Sequence, residues 1–137
     1  MPFDPKYGYV TEWSEQTLIF AWADQQAQYV PELEWLHCIP NGTRLLHRSK
    51  KSAPIEAQRL KAAGVKKGVP DMFLPIPRMG YHGLYIELKV HPNKPTPDQK
   101  RWLEFLSSQG YRAEVHYGAD AAIDAICAYL GVERKFL

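Results

Sequence analysis

The sequence has few cysteines and no long apolar run. The two cysteines of the 137-residue chain, Cys38 and Cys127, match neither zinc-site nor redox spacing. No apolar stretch approaches the roughly 20 residues that a membrane span requires. The first residues, MPFDPKYGYVTEW, also lack the basic and apolar regions of a secretory signal. These absences exclude a membrane protein, a disulfide scaffold and a zinc finger, and they predict a cytoplasmic protein in a reducing compartment.

The composition shows no bias towards disorder and no internal repeat. Hydrophobic residues make up 45% of the chain and charged residues 23%, which is the balance of a folded globular protein. A chain of 137 residues has the usual size of one domain and can bury a core without disulfide bonds. We therefore expect a single domain over residues 1–137.

The net charge is only +2, but it is distributed unevenly. Residues 44–67 contain eight basic residues and one acidic residue, whereas the rest of the chain contains 9 basic and 14 acidic residues. A concentrated basic segment is typical of a protein that binds a phosphate backbone, although a solvated loop and helix face would have the same composition. The candidate phosphate contacts are Arg44, Arg48, Lys50, Lys51, Lys66 and Lys67.

The spacing of apolar and turn-forming residues predicts alternating helices and strands. Helices are predicted over residues 11–28, 54–63, 97–109 and 121–130. Strands are predicted over residues 36–39, 71–76, 84–90 and 111–117. The order is helix, strand, helix, strand, strand, helix, strand, helix. It indicates an α/β domain with a mixed central sheet flanked by helices.

Charged residues within two apolar strands indicate the chemistry. Asp71 opens one strand, and Glu87 and Lys89 lie two residues apart in the next, so their side chains point to the same face. If the two strands form a hairpin, Asp71 approaches Glu87, and a divalent cation would relieve the repulsion of the two carboxylates. Oxygen ligands favour Mg²⁺ or Mn²⁺ over zinc. By itself, however, a Glu-x-Lys pattern is more often the polar face of an exposed strand.

The whole string of motifs resembles the PD-(D/E)xK nuclease superfamily. Gly68-Val69-Pro70-Asp71 is followed by Tyr85-Ile86-Glu87-Leu88-Lys89 and then by Thr96-Pro97-Asp98-Gln99. This order and spacing are similar to those of virus-type replication-repair nuclease (VRR-NUC) domains, particularly the small stand-alone phage and bacterial members. The resemblance covers most of the chain, from Glu15-Gln16 to the helix ending near Leu130.

The resemblance implies a fold and an activity. It implies a restriction-endonuclease-like core and a metal-dependent DNA endonuclease that uses Mg²⁺ or Mn²⁺. It further implies a homodimer that acts on branched DNA such as four-way (Holliday) junctions, which is a DNA-repair activity. The six basic residues named above would then contact DNA.

The resemblance also implies roles for individual residues on the two strands. Asp71 and Glu87 correspond to catalytic metal ligands, and Lys89 corresponds to the catalytic lysine. The backbone carbonyl of Leu88 would be a further metal contact. A metal bound there would polarise a phosphodiester and activate water, while Lys89 orients that water or offsets charge on the phosphate.

Two helices supply further candidates. The family's acidic residue in the first helix corresponds to Glu15, with Glu12 one helical turn earlier as the alternative. A glutamine that follows the lysine strand corresponds to Gln99, for which a catalytic role is implied. A capping box beginning at Thr96 explains the same glutamine without any catalytic role.

The same motifs fit two other kinds of function. A flap, fork or restriction-type nuclease would carry the same motifs, and a substrate panel separates these possibilities. A nuclease fold that has lost activity and only binds DNA is a further alternative. The intact set of Asp71, Glu87 and Lys89 argues against this last possibility.

Overall fold

The computed structural model describes residues 3–4, 8–40 and 53–134 of the chain. The strands within these ranges are β1 (Phe3–Asp4), β2 (Gly8–Tyr9), β3 (His37–Cys38), β4 (Met72–Leu74), β5 (Leu84–Lys89) and β6 (Arg112–Tyr117). The α-helices are α1 (Glu12–Gln26), α2 (Ala53–Ala62), α3 (Pro97–Ser108) and α4 (Gly118–Leu130), and a short 3₁₀ helix covers Pro31–Trp35. None of the described helices is both long and apolar enough to span a membrane.

Strands β3 to β6 form the central sheet in the order β3-β4-β5-β6. Strand β4 is antiparallel to β3 and to β5, whereas β6 is parallel to β5. Met72 of β4 pairs with Ile86 of β5, and Lys89 pairs with Tyr117 at the far end of the parallel pair. Helix α3 provides the crossover that a parallel pair requires. Strands β1 and β2 pair with each other in a separate two-stranded sheet.

The hydrophobic core lies between the central sheet and helices α1 and α4, which pack against each other. Leu84, Ile86 and Leu88 of β5 point into this core and are at most 1% exposed. Because successive side chains of a strand alternate between faces, Glu87 and Lys89 point away from it. The main helical members of the core are Ile19, Trp22, Ala23, Ala122, Ile123 and Ile126.

Local hydrogen bonds fix the starts of two helices. At the start of α1, the Thr11 and Ser14 side chains each accept the other residue's backbone N–H at 3.0 Å. Thr96 and Gln99 form the same kind of capping box before α3. Each box satisfies backbone N–H groups that have no partner within the helix. The first turn of α1 is therefore held in a defined position.

The predicted α/β class and mixed sheet are confirmed, with differences at element ends. The strand predicted over residues 71–76 is limited to Met72–Leu74, because Pro75 has no N–H to donate to a neighbouring strand. The last helix begins at Gly118 rather than at residue 121, since this glycine adopts a φ of +85° and turns the chain directly out of β6. The sequence does not predict β1, β2 or the 3₁₀ helix, because such short elements show no periodicity.

Candidate active site

The antiparallel pairing of β4 and β5 brings Asp71 and Glu87 together. Asp71 directly precedes β4, and continuing the register one step beyond Met72 and Ile86 places it opposite Glu87. Asp71 is 3% exposed and Glu87 is 1% exposed. The Leu88 N–H donates to Asp71 Oδ2 at 2.8 Å. Asp71 is also close enough to Glu87 to raise the pKa of the Glu87 carboxyl, both by repulsion between the two charges and by hydrogen bonding to its protonated form.

The Lys89 ammonium contacts two carboxylates. Its Nζ atom is 3.6 Å from Glu87 Oε1 and 3.7 Å from Glu12 Oε1. Glu12 is the first residue of α1, so the start of this helix lies against the end of β5. The Lys89 side chain is itself buried, with 8% of its surface exposed. The structure thus assembles three acidic residues and one lysine from three separate segments of the chain.

Glu87 is in an unfavourable environment for a negative charge. The pKa of Glu87 is raised to about 9. Burial is the largest cause and repulsion from Asp71 is the second, whereas the positive charge of Lys89 opposes the shift. Glu87 Oε2 is buried, and no other described residue makes a hydrogen bond to it. The charge of Lys89 alone therefore does not compensate for ionising Glu87 at this buried position.

The donor atoms of this site fit a hard divalent cation. Asp71 and Glu87 supply two carboxylates that are close enough to share a proton, and a cation can replace that proton. Among the described residues, no three histidine, cysteine, aspartate or glutamate side chains converge into a complete metal-binding group. Mg²⁺ does not need one, because it is commonly held by one or two carboxylates, with water and substrate phosphates completing its coordination. The Leu88 carbonyl is a further candidate donor.

The two candidate acids of α1 occupy different surroundings. Glu12 contacts Lys89 and contributes to the raised pKa of Glu87. Glu15 points to the start of α4, where its Oε1 atom is 3.4 Å from the position that a Cβ atom on Gly118 would occupy. The described contacts therefore connect Glu12 to the cluster, and the assignment of Glu15 as a metal ligand stays a prediction.

The Gln99 side chain takes part in the capping box of α3. Its Oε1 atom accepts the Thr96 N–H at 2.8 Å, and its own N–H donates to Thr96 Oγ1 at 3.2 Å. This is the structural role that the sequence offered as the alternative. A catalytic role for Gln99 stays a prediction, because these hydrogen bonds do not involve the acidic cluster.

The loop before Asp71 carries two of the candidate DNA contacts. Lys66 and Lys67 are exposed, and the Trp102 indole N–H donates to the Lys67 carbonyl at 3.0 Å. Gly68 packs so closely on α3 that a Cβ atom there would be 2.6 Å from the Asp98 carbonyl carbon. These contacts fix the loop backbone against α3. The other four candidates, Arg44, Arg48, Lys50 and Lys51, lie outside the described residues.

Sequence reasoning did not identify Asn93 as a neighbour of the site. Its side-chain Nδ2 atom is 3.5 Å from Glu12 Oε1, on the same oxygen that pairs with Lys89. In the sequence, His91-Pro92-Asn93 has the composition of an ordinary turn, so no pattern distinguishes Asn93 from other turn residues.

Comparison with known proteins identifies the family. The VRR-NUC domain family matches residues 10–120 of this chain. A solved structure described as a VRR_NUC domain protein superposes with a TM-score of 0.71 and 31% sequence identity, covering 90% of this chain and 91% of that one. A search of curated proteins found no match. The chain belongs to the VRR-NUC family, and its domain is a nuclease domain of the PD-(D/E)xK type.

Proposed function

We propose that this protein is a Mg²⁺- or Mn²⁺-dependent endonuclease that hydrolyses phosphodiester bonds in branched DNA, such as four-way junctions, in DNA repair. The observation that carries the proposal is the buried pair of Asp71 and Glu87 with Lys89 beside it. A buried acidic pair costs free energy unless a proton or a cation neutralises its charge. The carboxylate donors of this pair fit a divalent cation.

Each residue of the cluster has a distinct role in the proposed reaction. Asp71 and Glu87 hold the cation, and the Leu88 N–H orients the Asp71 carboxylate. When bound, the cation polarises the scissile phosphodiester and lowers the pKa of a water molecule. Lys89 orients the attacking water or offsets the negative charge that develops on the phosphate. Glu15, with Glu12 as its alternative, supplies the acid of α1, and Gln99 is a further candidate catalytic residue.

The proposed partners are branched DNA and a second copy of the chain. A homodimer would present two copies of the site to a symmetric four-way junction, which suits two matched nicks. The basic segment would hold the phosphate backbone without reading its sequence. The chain would act in the cytoplasm of a bacterium or of a phage-infected cell. Family resemblance supports the homodimer, the branched substrate and the location, and the charge of the basic segment supports its contact with DNA.

A substrate panel tests the proposed activity. We expect the protein with Mg²⁺ or Mn²⁺ to cleave labelled four-way junctions faster than flap, single-stranded or linear duplex DNA. We expect Asp71→Ala to abolish cleavage, because it removes one of the two carboxylates that would hold the cation. Faster cleavage of flaps, forks or linear duplex would replace the junction preference with one of those activities. Tight DNA binding without metal-dependent cleavage of any substrate would contradict the nuclease proposal and indicate a DNA-binding module.

Neutralising the basic segment should change the salt dependence of DNA binding. Each lost phosphate contact reduces the slope of log K against log[salt] by about 0.9. We expect a clearly shallower slope when four lysines of the segment become alanine, measured by fluorescence anisotropy over a range of salt concentrations. The four replaced residues are Lys50, Lys51, Lys66 and Lys67. An unchanged slope would remove this segment from the DNA interface.

A control variant separates local contacts from net charge. Lys100 and Lys135 lie outside the basic segment, and replacing both with alanine removes the same charge as replacing Lys66 and Lys67, the pair of the segment with which this control is compared. We expect this control to keep the wild-type slope. An equal loss of slope in the control would mean that the effect comes from total charge rather than from contacts in the segment.

A further inference from the structure

The Lys89 ammonium needs partners to stay in one place. A lysine side chain has four rotatable bonds, so a defined position costs side-chain entropy that its contacts must offset. One of its partners is Glu87, which belongs to the acidic pair itself. The other is Glu12, which belongs to a different element, α1, and lies 3.7 Å from the ammonium.

Neighbouring residues fix both the backbone and the side chain of Glu12. Its backbone begins α1, where the Thr11–Ser14 capping box fixes the first turn. Its Oε1 atom also lies within 3.5 Å of the Asn93 side-chain amide. Lys89 and Asn93 therefore share one carboxylate oxygen. The amide is a neutral donor, so it orients Glu12 without competing with Lys89 for negative charge.

Asn93 is in turn fixed to the central sheet. Its carbonyl accepts the Tyr117 hydroxyl at 2.9 Å, and its N–H donates to the Val90 carbonyl at 2.9 Å. Tyr117 is the residue that pairs with Lys89 across β5 and β6. Its ring also stacks on His91, with 4.2 Å between ring centroids. The turn after β5 is thus anchored to the same point of the sheet from which Lys89 extends.

We propose that Asn93 is a positioning residue for the catalytic lysine. Tyr117 fixes the Asn93 backbone, the Asn93 amide orients Glu12, and Glu12 holds the Lys89 ammonium beside the Asp71–Glu87 pair. The inference rests on the proposed nuclease function for its catalytic consequence. The position of Lys89 in the metal-free protein is independent of that function and can be measured separately.

Asn93→Ala tests the arrangement through kinetics. A misplacement of about 1 Å at a reacting group can cost about 100-fold in rate, so we expect kcat to fall roughly 10- to 100-fold. We expect KM for DNA to stay within about two-fold of the wild type, since the change affects Lys89 rather than substrate binding. A raised KM with unchanged kcat would instead make Asn93 a DNA contact and overturn the proposal.

Two further variants and one control refine the test. Asn93→Asp has the same shape but replaces the donor with an acceptor that repels Glu12, so we expect a larger loss of kcat than for alanine. Tyr117→Phe keeps the ring on His91 and removes only the hydroxyl, so we expect a loss in the same direction. Tyr129→Phe removes a comparable hydroxyl-to-backbone hydrogen bond, to the Ile76 carbonyl, and should leave kcat unchanged.

A double-mutant comparison tests whether Asn93 acts through Glu12. Because the two residues form one chain of contacts, adding Asn93→Ala to Glu12→Gln should lower kcat no further than Glu12→Gln alone. Full additivity of the two effects would contradict a path through Glu12.

A measurement without DNA or metal separates this inference from the proposed function. In the NMR spectrum of protein labelled with ¹³C-lysine, the Lys89 Cε–Hε signal is assigned as the one that is missing from the spectrum of Lys89→Arg. We expect Asn93→Ala to move this signal towards those of the exposed lysines, and Tyr129→Phe to leave it in place. An unmoved signal would overturn the proposal even if kcat fell. If the wild type cleaves no DNA, the nuclease proposal fails and this signal alone decides the positioning role.

Discussion

Lys89→Met is expected to lower the rate of DNA cleavage by roughly 10²- to 10⁴-fold, the range for losing a general acid–base or charge-stabilising group. Methionine has a similar length and removes the charge. DNA affinity should change little, because Lys89 is only 6% exposed and offers almost no surface to a DNA backbone. Single-turnover cleavage with excess enzyme measures the rate of the chemical step. Fluorescence anisotropy with Ca²⁺ in place of Mg²⁺ measures the affinity for DNA.

Lys89→Arg is the matched control for charge. The guanidinium keeps the positive charge but stays protonated under all working conditions, and its planar shape differs from the compact ammonium. Substantial recovery of cleavage by arginine would show that charge stabilisation is the main role of Lys89. Continued loss would favour a precise position near the attacking water. Near wild-type cleavage by Lys89→Met would exclude Lys89 from the chemistry altogether.

The sequence predicts that Asp71 approaches Glu87, because this approach depends on local structure. Asp71 precedes one strand and Glu87 lies in the next, and their approach needs only an antiparallel pair of neighbouring strands. The structure contains this antiparallel pair, and Asp71 is close enough to Glu87 to raise its pKa. Alternation along β5 similarly predicts that Glu87 and Lys89 share a face.

The rest of the site depends on contacts between distant segments. Glu12 and Glu15 are three residues apart, so they are neighbours on the same helix surface and periodicity cannot distinguish them. Only the packing of α1 against the end of β5 places Glu12 beside Lys89. Asn93 reaches Glu12 through the turn that follows β5, and no motif predicts that contact. Long-range packing therefore determines the outer residues of this site.

Glu87→Gln is expected to stabilise the metal-free protein at pH 8. The pKa of Glu87 is raised to about 9, first by burial and then by Asp71, from its ordinary value of 4.5. Between these values the folded protein keeps a proton that the unfolded chain releases, so the free energy of unfolding falls as pH rises. The slope is at most about 1.4 kcal/mol per pH unit. Glutamine is neutral and similar in shape, so it removes this pH-dependent loss.

A divalent cation should offset the stability that the wild type loses as the pH rises. The cation binds the ionised carboxylates and takes the place of the proton, so Mg²⁺ should raise the melting temperature more at pH 8 than at pH 6. Each kcal/mol should correspond to about 3–4 °C for a chain of this size. Glu87→Gln lacks one of the two carboxylates, and we expect Mg²⁺ to change its melting temperature little at either pH.

Thermal unfolding in EDTA and in Mg²⁺ from pH 5.5 to 8.5 measures both parts of this prediction. Glu104→Gln removes the same charge from an exposed position on α3, so it should follow the wild type throughout. If Glu87→Gln has a lower melting temperature than the wild type at pH 8 in EDTA, the buried Glu87 carboxyl does not destabilise the metal-free protein. If Mg²⁺ stabilises Glu87→Gln as much as the wild type, the cation binds elsewhere. Higher stability without metal, together with loss of the Mg²⁺ response, would show that this buried carboxylate lowers stability and in return binds the cation.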